Sequence, residues 1–221
     1  MSFRKVHNAI STYENINVNF WHCTKNASSA MTIHLYGLDQ NLTFDSVKES
    51  LGNNHWGIRK KLTLINRDAA VNNGRNNFFM CRDPFSRFIS MYKDMTIKRP
   101  QRGIKAKIDP GWSPYELAVY LNNTPEEKSD IHFVSQYSFI NPKNVATVLS
   151  INDNCASYTL NGANTTINIV HMEDITNTWK QEIPMLTNKA HETSGDEIIL
   201  DKKTKNLIYA RYKKDFDFFK Y

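Results

Sequence analysis

Cysteine is scarce in this chain, and the sequence spacings that bind zinc are absent. The 221 residues include three cysteines, Cys23, Cys81 and Cys155. Such a small, odd number argues against a disulfide framework. Neither a CxxC pair nor an HExxH motif occurs, so a structural or catalytic zinc has no support in the sequence. We therefore expect a cytoplasmic protein, from a reducing compartment, that uses no metal.

Long apolar segments are also missing. The longest apolar runs have about four residues, as at Phe78 to Cys81, whereas a membrane-spanning helix needs about 20. Arg4 and Lys5 have no apolar stretch behind them, so no signal peptide is predicted. Hydrophobic residues make up 40% of the chain and charged residues 23%, which excludes general disorder, a collagen and a coiled-coil rod. We expect one domain over residues 1–221, without a membrane partner.

The charge balance is basic, with a formal net charge of +6. This balance suits an anionic partner such as nucleic acid, a phosphorylated cofactor or an acidic polymer. A nucleic-acid-binding module is disfavoured, because it needs aromatic residues among its basic ones and most aromatics here have core spacing. A basic run follows residue 92, and it is either a solvated loop or a rim that attracts an anionic acceptor. The run contains Lys93, Lys98, Arg99, Arg102, Lys105 and Lys107.

Strand-like and helix-like segments alternate along the chain. Ile16, Val18 and Phe20 alternate with asparagines, and the segment from Ala27 to Leu38 then has helical spacing. Asn77 to Cys81 is typical of a buried strand. Such alternation predicts a three-layer α/β fold with a mainly parallel central sheet. Further predictions are helices at 58–65, 113–121, 174–186 and from 204, strands within 145–171, and a loop at 97–112.

The first predicted strand is followed by a polar loop with a lysine. Lys25 and the small residues Ser28 and Ser29 lie where this loop enters the predicted helix. Backbone N–H groups and the dipole at a helix N-terminus attract an anion, and a lysine adds a point charge. The nucleotide-binding pattern GxxxxGK[ST] is absent, which argues against a P-loop-type kinase acting on a small molecule.

The second predicted strand is followed by another polar segment. Asp83 is a good N-cap and Pro84 suits the first helical position. The apolar side chains that follow are expected in the core. That interpretation leaves Arg82, Arg87 and Ser90 unexplained.

Together the two segments resemble the donor-binding motifs of the sulfotransferase superfamily, whose donor is 3′-phosphoadenosine-5′-phosphosulfate (PAPS). The segment Lys25 to Ser29 is similar to the first motif of carbohydrate sulfotransferases of the uronyl 2-O type and their bacterial relatives, with Asn26 where Thr is commoner. The second motif, R-[DN]-P-x-x-R-x-x-S-x-Y, is matched from Arg82 to Tyr92 at every specified position.

This resemblance implies a P-loop-like fold and metal-free transfer of a sulfuryl group from PAPS to a hydroxyl acceptor. The acceptor would be a carbohydrate, with an anionic sugar as one candidate, or a small molecule. The absence of an anchor favours a bacterial or viral protein of the cytoplasm. A sulfotransferase-like fold that has lost activity is disfavoured by the intact Lys25, Arg82 and Ser90.

The resemblance also assigns site residues. Lys25 would neutralise the leaving phosphate, and Arg82 and Ser90 would bind the 3′-phosphate of the donor. Lys189 lies in a polar stretch that either closes over this phosphate or is a solvated loop. The residues implied around the 5′-phosphosulfate are Lys25, Asn26, Ala27, Ser28 and Ser29.

Weaker resemblances extend toward the C-terminus. Asp130, His132 and Gln136 are similar to the superfamily's D-x-H-x-x-x-Q segment, and Glu173 to its late glutamate. The superfamily's terminal pattern is Y-x-x-D-[FY]-x-x-F-x-Y. Its counterparts here are Tyr212, Asp215, Phe216, Phe219 and Tyr221.

Histidine is the usual general base near neutral pH, and the chain has seven. Relatives of the uronyl type place their base between the two motifs. His34 falls there on an apolar helix face and is expected in the core, so His55 is the preferred base. His132 is the second candidate, with a structural or acceptor-orienting role as its alternative. Glu49 or Asp45 would serve if neither histidine does. His22 and His171 are expected to be buried with satisfied hydrogen bonds.

Overall fold

The computed structural model describes residues 10–51, 57–58, 61–140, 147–152, 155–160, 163–174 and 197–221. The described residues form a seven-stranded sheet with the order β3-β1-β2-β4-β7-β6-β5. Its strands are β1 Ile10–Tyr13, β2 Val18–Trp21, β3 Thr63–Ile65, β4 Asn76–Cys81, β5 Thr147–Asn152, β6 Cys155–Leu160 and β7 Ala163–His171. Strands β2, β4 and β7 are mutually parallel, and the other pairs are antiparallel. The α/β class is confirmed, with a parallel centre in a mixed sheet.

The carboxyl half of β4 is apolar and buried, as expected for a strand with a parallel neighbour on each side. Phe79, Met80 and Cys81 are at most 1% exposed. Trp21 pairs with Phe79, so β2 and β4 end at the same edge of the sheet. Ligands of α/β sheets bind beyond the carboxyl ends of strands, and each of these two strands leads directly into one of the motif segments.

The described helices lie between β2 and β3, between β3 and β4, between β4 and β5, and after β7. They are α1 Ser28–Asp39, α2 Phe44–Leu51, α3 Arg67–Asn72, α4 Pro84–Tyr92, α5 Pro100–Lys105, α6 Pro114–Asn123, α7 Gln136–Ile140 and α8 Lys202–Phe219. A π-helix spans Lys93–Lys98, and short 3₁₀ turns span Glu126–Lys128 and Ile131–Phe133. Helix α6, which the sequence predicts, starts with a capping box in which Ser113 and Glu116 each bond the other's backbone. The predicted helix at 174–186 lies, beyond residue 174, outside the described residues.

Two predictions of secondary structure were wrong. Residues 63 to 65 form a strand rather than helix, because Ile65 pairs with Ile10 of β1, a strand that the sequence analysis missed. The segment 97–112 contains the end of the π-helix and α5 rather than only loop. Pro100 starts α5 at a position where its missing N–H costs nothing. A Cβ at residue 103 would lie 2.3 Å from the Met95 carbonyl oxygen, so Gly103 permits this close packing.

The chain divides into two compact units. One holds the described parts of 2–81 and 138–190, including the sheet, and its core contains Tyr13, Phe20, Met31, Val47 and Met80. The other holds the described parts of 82–137 and 191–221, and its core contains Phe88, Met91, Leu117, Phe133, Ile208 and Phe216. A single domain over the whole chain stays a prediction.

Candidate functional site

The loop between β2 and α1 has an unusual backbone. Lys25 and Ala27 both adopt left-handed conformations, with φ of 68° and 50°. For a residue with a Cβ, this conformation costs roughly 1–2 kcal/mol. Such strain persists only where surrounding structure enforces it, and it clusters at ligand sites. The loop therefore has a fixed shape that its own residues do not prefer.

Helix α1 begins without a capping side chain. Its N-cap is Ala27, whose methyl group cannot accept a hydrogen bond, and its first turn has no acidic residue. The first N–H groups of a helix have no partner within the helix, and the dipole adds positive potential there. Ser28 and Ser29 are half-buried and add hydroxyl donors. This end of α1, together with Lys25, is chemically suited to an anion.

Asn26 anchors the loop to the sheet. Its side chain is 1% exposed, and its Nδ2 donates to the Met80 carbonyl of β4 at 2.7 Å. A threonine, the commoner residue in the resembling motif, is too short to reproduce this amide contact in the same way. The side chain of Asn26 thus positions the loop, and a ligand contact from this residue would come from its backbone.

The second motif segment starts directly after β4. The Asp83 carboxylate accepts from the Ser86 N–H at 2.8 Å, and Pro84 occupies the first turn of α4, as predicted. Arg82 and Ser90 are both half-buried, one before the helix and the other two turns along it. The cap fixes the path of the chain between these residues.

Arg87, which the sequence left unexplained, is a buried structural residue. It is 1% exposed and donates through Nη2 to the carbonyls of His132 at 3.2 Å and Val134 at 2.9 Å. Its guanidinium carbon also lies 6.0 Å from the ring centroid of Tyr212. In the sequence, Arg87 lies three residues after Pro84 and four before Met91, and these are buried residues on the same face of α4.

Gln136 connects the weaker resemblances to the second motif. Its amide Nε2 donates to the Arg82 carbonyl and its Oε1 accepts from the Arg82 N–H, both at 2.8 Å. The Asp215 carboxylate accepts from the N–H groups of Gln136 at 2.9 Å and Tyr137 at 2.8 Å. The Tyr212 hydroxyl donates to the Phe133 carbonyl at 3.1 Å. The D-x-H-x-x-x-Q segment and the C-terminal pattern thus belong to one network with Arg82.

Burial controls the titration of the two α8 residues in this network. Complete burial raises the pKa of Tyr212 to about 12, although the charge of Arg87 opposes the shift. Burial likewise raises the pKa of Asp215 to about 6, against the opposing effects of Arg87 and of the two backbone N–H donors. Tyr212 is therefore a neutral hydrogen-bond donor at physiological pH.

Asp130 and His132 form a close pair beside Arg102. The His132 Nδ1 lies 2.5 Å from the Asp130 carboxylate, and the Arg102 Nη2 lies 3.3 Å from the same nitrogen. Partial burial would raise the pKa of Asp130, but the hydrogen bonds from His132 and the charge of Arg102 hold it below its usual range. An ionised Asp130 accepts a hydrogen bond from a protonated Nδ1. In a neutral His132 ring, the free lone pair is then on Nε2.

The other residues predicted for the site are exposed, half-buried or outside the described residues. His55 and Lys189 lie outside the described residues. Asp45 and Glu49 are exposed on α2. Glu173 is half-buried two residues beyond the end of β7.

The other histidines have structural surroundings. His22 is 6% exposed, and its Nε2 lies 2.6 Å from the Ser11 hydroxyl, as expected for a satisfied buried ring. His34 is half-buried, and burial lowers its pKa. His171 is also half-buried, at the end of β7.

The basic run is carried by the π-helix and α5. The Asp94 carboxylate pairs with the Arg99 guanidinium. Lys98, Lys105 and Lys107 are exposed. Lys93 is buried, so the basic surface consists of the residues from Lys98 to Lys107, most of them on helical structure rather than in a solvated loop.

Two features are absent from the described residues, a cluster of metal ligands and a helix suited to span a membrane. No described group of three or more His, Cys, Asp or Glu side chains is placed to hold a metal ion. None of the described helices combines the length and the apolarity needed to cross a bilayer.

Comparison with known proteins identifies the family. A model of the sulfotransferase family matches residues 10–221, almost the whole chain and both compact units. No curated protein and no solved structure gives a match. The family match covers the loop before α1, the motif segment after β4 and the C-terminal helix. The chain therefore belongs to the sulfotransferase family.

Proposed function

We propose that the protein transfers a sulfuryl group from PAPS to a hydroxyl acceptor, either a carbohydrate or a small molecule. The carrying observation is that β2 and β4 are parallel neighbours, each followed directly by a segment that resembles a donor-binding motif. Family membership supports sulfuryl transfer in general. The identity of the donor, the P-loop-like character of the fold and the acceptor class are parts of the proposal.

The loop before α1 would bind the 5′-phosphosulfate. The reaction breaks the bond between sulfur and the phosphate oxygen and forms a bond between sulfur and the acceptor oxygen. Negative charge grows on the leaving phosphate, and Lys25 with the backbone N–H groups of residues 26 to 29 would neutralise it. Preorganised donors of this kind are typically worth about 3–4 kcal/mol of barrier each. The left-handed backbone at Lys25 and Ala27 supports this role.

The segment after β4 would bind the 3′-phosphate. The guanidinium of Arg82 offers a planar fork of donors that matches a phosphate. The hydroxyl of Ser90 would add one donor from α4. Lys189 would close over the same phosphate. The fixed backbone around Arg82 supports the assignment, because a guanidinium group is held in one orientation only if the backbone that carries it is held as well.

A general base must remove the proton of the acceptor hydroxyl, a step usually worth about 10²- to 10⁴-fold in rate. We propose His55 for this role, by its place between the two motifs. His132 is the second candidate, since Asp130 holds its ring as a catalytic carboxylate holds a base. Turnover by His55→Ala and His132→Ala distinguishes the two. Loss of turnover in His132→Ala alone, with retained binding of 3′-phosphoadenosine-5′-phosphate (PAP), would show that the base is misassigned.

The donor assignment is tested by thermal stabilisation with PAP, compared with ATP–Mg²⁺ and with an oligonucleotide. We expect PAP to raise the melting temperature most. Arg82→Ala should remove most of this gain, whereas Arg75→Ala, whose guanidinium bonds the Glu14 carbonyl, should keep it. Equal stabilisation of the Arg82→Ala variant and the parent would contradict the second-motif assignment. Activity should survive EDTA, and metal-dependent stabilisation by ATP would support a kinase instead.

The acceptor and the compartment complete the proposal. A screen of hydroxyl-bearing sugars and small molecules with labelled PAPS identifies the acceptor class. Anionic sugars are tested first, because the surface formed by residues 98–107 is basic. We propose a cytoplasmic location, which the small, odd number of cysteine thiols in the chain supports. Labelling of these thiols in the denatured protein from cells tests it.

A further inference from the structure

We infer that Gln136 is a positioning residue that sets the preference for a 3′-phosphorylated nucleotide by fixing the backbone of Arg82. The inference rests on the proposed function, because it concerns the residue proposed to bind the 3′-phosphate. Gln136 would not touch the nucleotide. It would act only through the main chain from which the Arg82 side chain extends.

The contact is a two-point clasp on one residue. The Gln136 amide donates to the Arg82 carbonyl and accepts from the Arg82 N–H, both at 2.8 Å. This is the pattern that a neighbouring β-strand would provide. It falls on the first residue after β4, where the sheet ladder ends at Cys81. The clasp therefore fixes the peptide groups on both sides of the Arg82 Cα.

Gln136, which forms the clasp, is itself held in place by other buried polar groups. Gln136 is 0% exposed, and its own N–H donates to the Asp215 carboxylate, which is also 0% exposed. Arg87 holds the carbonyls of His132 and Val134 just before it in the chain. The amide of Gln136 thus has little freedom to shift. A backbone set by three buried polar groups aims a flexible side chain better than loop packing alone.

The side chain of Gln136 does more than occupy space in the core. An apolar residue of similar size would fill the same space, but it would leave the Arg82 N–H and carbonyl without these partners. A glutamate would keep the acceptor for the N–H, but it would face the Arg82 carbonyl with a second oxygen. An amide serves both groups at once, whereas an ionised carboxylate has no donor for the carbonyl.

The test compares the affinities for PAP and for 5′-AMP, which lacks the 3′-phosphate, by calorimetry. We expect Gln136→Leu to lower the PAP-over-AMP preference at least tenfold while the Kd for AMP stays within about twofold. Arg82→Ala should lower the preference by at least as much. The double variant should lose no more than Arg82→Ala alone, because Gln136 acts through Arg82.

Two further variants separate positioning from stability. Tyr212→Phe removes a buried hydrogen bond to the Phe133 carbonyl and leaves the clasp intact, so it should lower the melting temperature but keep the preference. Gln136→Glu is nearly isosteric and carries the test if Gln136→Leu does not fold. We expect it to lose the preference too.

The outcomes are distinct. A parent-like preference in a folded Gln136 variant, with only a lower melting temperature, would overturn the inference and leave the proposed function intact. Failure of the parent to prefer PAP over AMP would overturn the proposed function, and the inference with it.

Discussion

The loop before α1 and the segment after β4 differ in what fixes their backbone. The first is shaped by two left-handed residues and one buried amide, that of Asn26. The second is held by side chains from 130–137 and α8, with Gln136 and Asp215 at their centre. The first arrangement places Lys25 close in sequence to the uncapped N-terminus of α1, which suits its proposed role of neutralising charge that develops during the reaction. The second fixes the origin of a long side chain, which suits a phosphate that does not change.

The largest expected effect concerns the first loop and the rate. Lys25→Ala should lower turnover about 10²- to 10³-fold, because the contact proposed for Lys25 would strengthen as charge develops on the leaving phosphate. The Kd for PAP should change far less. Single-turnover kinetics with saturating PAPS measures the effect. Lys205→Ala, an exposed lysine of α8, is the control. A loss of PAP affinity with unchanged turnover would contradict the role of Lys25.

The next effect concerns the second segment and stability. Asp215→Ala should lower the free energy of unfolding by about 3 kcal/mol, because it leaves two buried N–H groups and the charge of Arg87 uncompensated. Urea unfolding measures the change. Asp217→Ala, which breaks an exposed ion pair with Lys213 on the same helix, should cost less than about 1 kcal/mol. Equal losses in both variants would show that the buried network adds nothing.

The same carboxylate should make stability depend on pH. Burial raises the pKa of Asp215 to about 6, above the value of an unfolded aspartate, so the folded state binds the proton more tightly. The part of its stabilisation that comes from tighter proton binding is therefore present below about pH 4 and is lost as the pH rises through about 6, whereas its hydrogen bonds to the two backbone N–H groups remain. Melting curves across this range should show the parent gaining on Asp215→Asn as the pH falls. A constant difference between the two proteins would exclude this titration.

The smallest effect returns to the first loop. Ala27→Gly relieves the left-handed strain but adds freedom to the unfolded chain, so stability should stay level or rise by up to about 1 kcal/mol. Ala30→Gly, in the regular part of α1, should instead lose about 1 kcal/mol. Thermal unfolding of both variants makes the comparison. A clear loss in Ala27→Gly would show that the strain is not a property of the loop backbone.

Local patterns predicted much of the fold. Strand β4, the Asp83 cap, the capping box of α6 and helix α8 all follow from neighbouring residues, because apolar spacing and capping chemistry act over a few positions. Strand β3 was missed because its pairing with β1 decides its conformation, and three residues carry no periodicity. The helical structure around Gly103 was missed because a glycine and a proline usually indicate a loop.

The site was predictable only in part. The assignment of Lys25, Arg82 and Ser90 came from resemblance and stays a prediction, to which the structure adds the backbone contacts of Arg82. The clasp of Gln136 on Arg82 joins residues 54 positions apart, and no local pattern encodes such a pair. The left-handed conformations were also hidden, because lysine and alanine rarely adopt them.

The parallel centre of the sheet has a consequence for the order of folding. Strands β5, β6 and β7 form a local antiparallel meander, whereas β4 pairs with strands that are distant along the chain on both sides. Pairing strands that are distant along the chain is slow, because the entropy of closing the long loop is lost before any contact compensates for it. The meander should therefore gain hydrogen-exchange protection early during refolding, and the pairing of β2 with β4 late. Both motif segments would then acquire their positions at the last stage of folding, when the two strands that carry them come together.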